Sequence, residues 1–135
     1  MKYLIDTGIW SLVFRREEPK NEYVIQLLSK LIDRKQVVLC GAVRQELLSG
    51  IKNNSQFEIL RSRLRSFEDL KAETEDYELA AEIYNICKSK GIQASNTDFL
   101  LCALAANHNV SLFTSDKDFP FIKKHFSFHL EFIKL

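Results

Sequence analysis

Residues 96–116 read NTDFLLCALAANHNVSLFTSD, and the two halves of this stretch decide the fold. From Phe99 to Ala106 the chain is apolar nearly all round, the pattern of a helix enclosed by protein on every side. Asn96-Thr97-Asp98 opens that helix with polar groups. Val110 to Thr114 is short, apolar and β-prone, a buried strand, and Ser115 to Phe119 reads as a turn. A buried helix feeding a buried strand implies a parallel crossover, with its partner strands covered on both faces.

The alternation continues outward from this unit. Lys2-Tyr3-Leu4-Ile5 is a short apolar strand ending at Asp6, and Thr7 is placed to cap a helix reaching Phe14. Arg15 to Pro19 reads as a charged loop. Tyr23, Val24, Leu27, Leu28, Leu31 and Ile32 then form one apolar helix face, and Gln36 to Cys40 a second strand. Helices are expected over Ala42 to Lys52, Ser55 to Phe67, and from a Thr74 cap to a left-handed stop at Gly91. Phe128 to Ile133 alternates as a last strand. The fold class that follows is α/β: a three-layer α/β/α sandwich around a mainly parallel sheet of four to five strands.

Composition sets outer limits. The 135 residues are 46% hydrophobic and 27% charged, the profile of one globular domain spanning 1–135. Four Gly and two Pro leave no linker to divide it. Nineteen basic against eighteen acidic side chains give a formal charge of +1, which argues against a strongly basic arm or an acidic tail. No run approaches the ~20 apolar residues of a membrane span. No apolar leader precedes Asp6, so the expected compartment is the cytoplasm, with no membrane partner. Cys40, Cys87 and Cys102 are widely spaced among apolar neighbours and read as buried thiols.

In open parallel sheets, ligands bind beyond the carboxyl ends of the strands. Asp6 and Asp116 stand at two such ends, Asp98 is in the first turn of the buried helix, and Glu46 lies in the helix after the second strand. Each acid alone has an ordinary explanation: a cap for Asp6, dipole compensation for Asp98, a turn for Asp116, a solvated helix face for Glu46. Together they can converge on one sheet edge. Carboxylates gathered in one cleft repel unless a cation neutralises them, and such hard oxygen donors favour Mg²⁺ or Mn²⁺. Metal-assisted phosphodiester hydrolysis is the chemistry this predicts.

Four motifs in order, Leu4-Ile5-Asp6-Thr7, Arg44-Gln45-Glu46-Leu47-Leu48-Ser49-Gly50, Thr97-Asp98-Phe99 with the apolar residues after it, and Thr114-Ser115-Asp116-Lys117-Asp118-Phe119, resemble those of the PIN-domain family. Within that family they look like the VapC toxins of type II toxin–antitoxin systems. The resemblance implies a Mg²⁺-dependent endoribonuclease acting on an RNA substrate, a homodimer, and a cognate antitoxin bound over its groove. It also implies Asp6, Glu46, Asp98 and Asp116 as the catalytic and metal-binding acids, Asp6 and Asp98 the most direct ligands. Thr7 and Ser115 are candidates to orient a water. Asp118 competes with Asp116 for the fourth place, and Asp116 is closer to the strand end. Gly8 departs from the Asn or Ser common in relatives at that position.

Phosphate contacts are expected among Arg15, Arg16, Lys52, Arg61, Arg63, Arg65 and Lys117. A PIN-like module that binds RNA or protein without cutting is the alternative function. Asp6-Thr7-Gly8 also spells an aspartic protease signature, which the long helical periods oppose. His125 and His129 fall on strand-like spacing, ~13 Å apart, too far to share an ion. His108 is expected to complement the C-terminal dipole of its helix. Trp10 is expected to pack in the core or on a dimer surface rather than stack on bases, and Phe57, Leu60, Leu64 and Phe67, on one helix face, to do the same or to offer a groove to an antitoxin helix.

Overall fold

A computed structural model describes residues 1–14 and 22–135. The charged loop expected over Arg15 to Pro19, with Arg15 and Arg16, lies outside the described residues. Among the described residues five strands form one sheet: β1 (Tyr3–Ile5), β2 (Val37–Leu39), β3 (Glu68–Asp69), β4 (Ser111–Thr114) and β5 (His129–Phe132). The helices are α1 (Thr7–Phe14), α2 (Glu22–Asp33), α3 (Gly41–Leu48), α4 (Asn54–Leu64), α5 (Thr74–Ser89), α6 (Asn96–His108) and α7 (Asp118–Lys123). Every strand pairing is parallel, in the order β3-β2-β1-β4-β5.

Right-handed crossovers put α1 to α4 on one face and α5 to α7 on the other. The helix contacts agree: α1 packs on α2 and α3, α3 on α4, and α5 on α6. The result is the expected three-layer sandwich. Its core joins Leu4, Ile5 and Phe113 of the central strands to Ile9, Leu28, Phe99 and Leu104 of the helices, all essentially inaccessible. Burying each such side chain stabilises the fold by about 1.5–3 kcal/mol. Cys40, Cys87 and Cys102 are buried free thiols, and Trp10 is buried against Phe14 and Phe67.

Several boundaries differ from the sequence reading. The helix expected to reach Lys52 stops at Leu48, because Ser49 is extended and Gly50 takes a left-handed φ of 87°. The helix expected to reach Phe67 stops at Leu64, which frees Glu68 and Asp69 to form the unforeseen strand β3. Glu73 rather than Thr74 is the N-cap of α5. Gly91 ends that helix region at φ 75°, as expected. Among the described residues no helix is long and apolar enough to cross a membrane.

Candidate active site

Strand order reverses at β1, whose neighbours β2 and β4 carry the chain in opposite directions across the sheet. At such a point the loops leaving adjacent strands part and open a crevice at their carboxyl ends. Asp6 follows β1 immediately, and Asp116 lies just beyond β4.

Asp6 is held by the backbone on both sides. Its N–H donates to the Phe113 carbonyl at 3.0 Å, and its own carbonyl accepts from Ile9 and Trp10 at 3.1 and 3.2 Å, starting α1. Its side chain is buried, with Oδ2 accepting from the Thr114 hydroxyl at 2.7 Å. Burial pushes the Asp6 carboxyl up to about 6, and the charges of Asp98 and Asp116 add to the rise. Hydrogen bonds from Thr114 and from the Thr7 backbone oppose it.

Thr114 joins the two strand-end acids. It is fully buried, and while its hydroxyl donates to Asp6 it accepts from the Asp116 N–H at 3.0 Å. Asp116 turns its own Oδ1 to the Asp118 N–H at 2.9 Å, so its turn-forming role is real. Asp118 is half-buried, and burial together with Asp116 and Asp98 raises its pKa. Asp98 serves its helix as well. Its Oδ2 accepts from the Ser95 N–H at 3.0 Å while its N–H donates to the Ser95 hydroxyl at 3.1 Å, a reciprocal capping box.

Glu46 reaches the group from α3. The Thr7 hydroxyl donates to its Oε1 at 3.1 Å, which ties Glu46 to the residue after Asp6. Thr7 thus bridges acids rather than capping α1 with its side chain. Ser115 is half-buried, and among the described residues the hydroxyls that contact the acids are those of Thr7 and Thr114, not that of Ser115. The sequence reading missed Thr114. The signal was a hydroxyl at the end of the apolar run Leu112-Phe113, where burial demands a hydrogen-bond partner.

The described ion pairs, Lys2–Glu68, Arg44–Asp69, Arg61–Glu58 and His108–Asp76, use none of these acids. Among the described residues the cluster is therefore a concentration of hard oxygen donors without an ion-paired protein cation, a set chemically suited to Mg²⁺ or Mn²⁺. Among the described residues no three His, Cys, Asp or Glu side chains converge closely enough to hold an ion by themselves. Mg²⁺ does not require such a cage, since it commonly keeps several waters and takes one or two carboxylates.

Of the expected basic residues, Arg61 also lies over the Phe57 ring, and Lys117 is the N-cap of α7. Lys52, Arg63 and Arg65 are exposed. Arg63 lines a groove of about 560 Å³ between α1, α3 and α4, where Phe14, Leu47, Ile59 and Leu60 alternate with polar groups that include Glu46 and Gln56. His108 lies in the last turn of α6 as expected, and its Nε2 also pairs with Asp76, a contact that spacing did not announce.

The chain is similar to several solved structures over nearly its whole length. VapBC2 from Rickettsia felis, bound to a DNA fragment from its promoter, superposes with a TM-score of 0.79 at 21% identity, covering 99% of this chain and 100% of that one. FitAcB from Neisseria gonorrhoeae gives 0.76 at 24% identity, covering 97% and 96%. A toxin–antitoxin complex from Klebsiella pneumoniae gives 0.68 at 21% identity, covering 87% and 90%. No curated protein sequence matches the chain significantly. The parallel sheet, the acids at its switch point and a match of the PIN domain family model to residues 3–124 agree, and the chain belongs to the PIN domain family.

Proposed function

We propose that the chain is a divalent-metal-dependent endoribonuclease of the VapC toxin type, with Asp6, Glu46, Asp98 and Asp116 as its metal-binding and catalytic acids. The observation that carries this reading is the Asp6 carboxyl: buried, tied by Thr114 to Asp116, and raised to about 6 by burial with Asp98 and Asp116 adding to the rise. Such an arrangement costs stability in the empty protein, and a bound cation relieves it. Asp6 and Asp98 would hold Mg²⁺, or Mn²⁺, and Glu46 and Asp116 would hold a second ion or its waters. Bound there, a divalent ion supplies a nucleophilic water at neutral pH and neutralises charge on the scissile phosphate.

The chain's own groups do the rest. Thr114 aims Asp6 and favours its ionised form, Thr7 fixes Glu46, and Ser115, in the turn beside Asp116, would orient a water. Asp118, half-buried and hydrogen-bonded through its N–H to Asp116 Oδ1, is the alternative fourth acid. Cleavage of RNA with Mg²⁺ or Mn²⁺, its loss in EDTA and in Asp98→Ala, and growth arrest on expression rescued by Asp98→Ala test the reading. Cleavage by Asp6→Ala or Asp98→Ala at the parental rate overturns it.

The same reading includes a homodimer in the cytoplasm and an antitoxin docked on the groove between α1, α3 and α4. Support for the partner comes from the similar toxin–antitoxin complex from Klebsiella pneumoniae and from the apolar lining of the groove beside Glu46. The spacing of the acids, which does not enclose an ion unaided, favours one second reading: a PIN module that binds without cutting. Carboxylate-dependent uptake of Mg²⁺ separates the two.

A further inference from the structure

We propose that the exposed face of α7 is a track for single-stranded RNA leading into the acidic crevice, with Phe121 stacking on a base and Lys117 and Lys124 contacting the flanking phosphates. This rests on RNA as the substrate and adds where the strand lies. The helical backbone continues through both lysines, with φ, ψ of −65°, −16° at Lys117 and −63°, −24° at Lys124. Positions 117, 121 and 124 are spaced by four and three, so they fall on one face. Phe119 and Ile122, on the opposite side, are fully buried.

Phe121 is the exception among the apolar residues of this helix, being 51% exposed. The Lys124 ammonium lies 4.9 Å from its ring centroid. An aromatic ring with a cation beside it matches a base and its phosphate, and stacking serves any base because each has a π-face. Protein interfaces also expose aromatic residues, but lysine is depleted there, whereas here lysines flank the ring on both sides. The track also has a destination. One helical turn separates Phe121 from Asp118, whose N–H donates to Asp116 Oδ1 at 2.9 Å. A strand lying along this face would thus deliver its backbone to the acids.

The test uses the full chain carrying Asp98→Asn to stop cleavage, titrated against a short, unstructured fluorescein-labelled RNA and followed by polarisation. Phe121→Ala should weaken binding about tenfold, within the range for loss of one stacked base, and Phe121→Tyr should keep the parental affinity. Lys117→Gln with Lys124→Gln should flatten the dependence of log K on log salt by roughly one per lysine removed. In the cleaving protein, Phe121→Ala should act mainly on KM. Parental RNA affinity in Phe121→Ala overturns the track while leaving the RNA substrate standing. No RNA binding by the Asp98→Asn chain overturns both. Loss of antitoxin neutralisation with RNA affinity intact makes the face a protein contact and also overturns the track.

Discussion

The Thr114 hydroxyl lies 2.7 Å from Asp6 Oδ2 and accepts the Asp116 N–H at 3.0 Å, so one buried oxygen positions the acids at the ends of two adjacent strands. Thr114→Val keeps the shape but removes both bonds. The Asp116 N–H loses its partner and the Asp6 carboxyl rises further, because the Thr114 bond is the strongest influence lowering it. The expected cost is about 1–3 kcal/mol in stability and 10- to 100-fold in metal affinity, as for other groups that orient a ligand. Thermal melts and a pH–rate profile, displaced to higher pH, check this.

Asp6 makes the metal-free protein pH-sensitive. Its folded carboxyl titrates near 6 against an ordinary value of 3.8, so between these values the native state binds more protons than the unfolded one. Stability is therefore greatest below pH 4 for this group and is lost as pH rises through 6, by about 3 kcal/mol in all. Asp6→Asn should be more stable than the parent at pH 7.5 in EDTA and inactive. Chemical denaturation at pH 5 and 7.5 measures it, and Mg²⁺ should narrow the gap by stabilising only the parent.

Asp76 fastens the start of α5 to the end of α6. It accepts from the Glu73 N–H at 2.8 Å and the Asn107 amide at 2.9 Å, and pairs with His108 at 3.0 Å. Burial opposes ionisation, but these contacts outweigh it and hold the carboxyl below its usual pKa. Its contribution is present at neutral pH and is lost as pH falls through the lowered folded value. Asp76→Ala should cost about 1–3 kcal/mol, as expected when buried hydrogen-bond donors lose their acceptor, with the loss read from urea midpoints.

The groove between α1, α3 and α4 carries the antitoxin prediction. Ile59 lines it and is 52% exposed, so Ile59→Asp should fold normally and cleave RNA like the parent. It should resist neutralisation by the proposed cognate antitoxin. Growth on co-expression gives the readout, and Trp10, stacked on the groove residue Phe14, offers a fluorescence signal for docking.

What was legible in the chain followed periodicity. The apolar run after Asp98 and the strands before Asp6 and Asp116 are strong signals, and the parallel topology they imply already gathers acids at a switch point. Strand β3 carried no such signal. It is Glu68-Asp69 at a sheet edge, formed where Lys2 pairs with Glu68 at 2.5 Å and Arg44 with Asp69 at 2.7 Å, both distant in sequence. The α3 end was misread because Ile51 and Lys52 prolong a helical pattern that the left-handed Gly50 cuts. Thr114 and Asp76 escaped notice because their roles depend on partners that only tertiary structure supplies.

The central claim is that these carboxylates share a divalent ion, and calorimetric titration of Mg²⁺ into the full chain at pH 7.5 tests it most directly. Saturable binding that disappears in Asp6→Asn and Asp98→Asn, and weakens as pH falls through 6, is the predicted result. Uptake unchanged in both variants, or no uptake by the parent, would contradict the account.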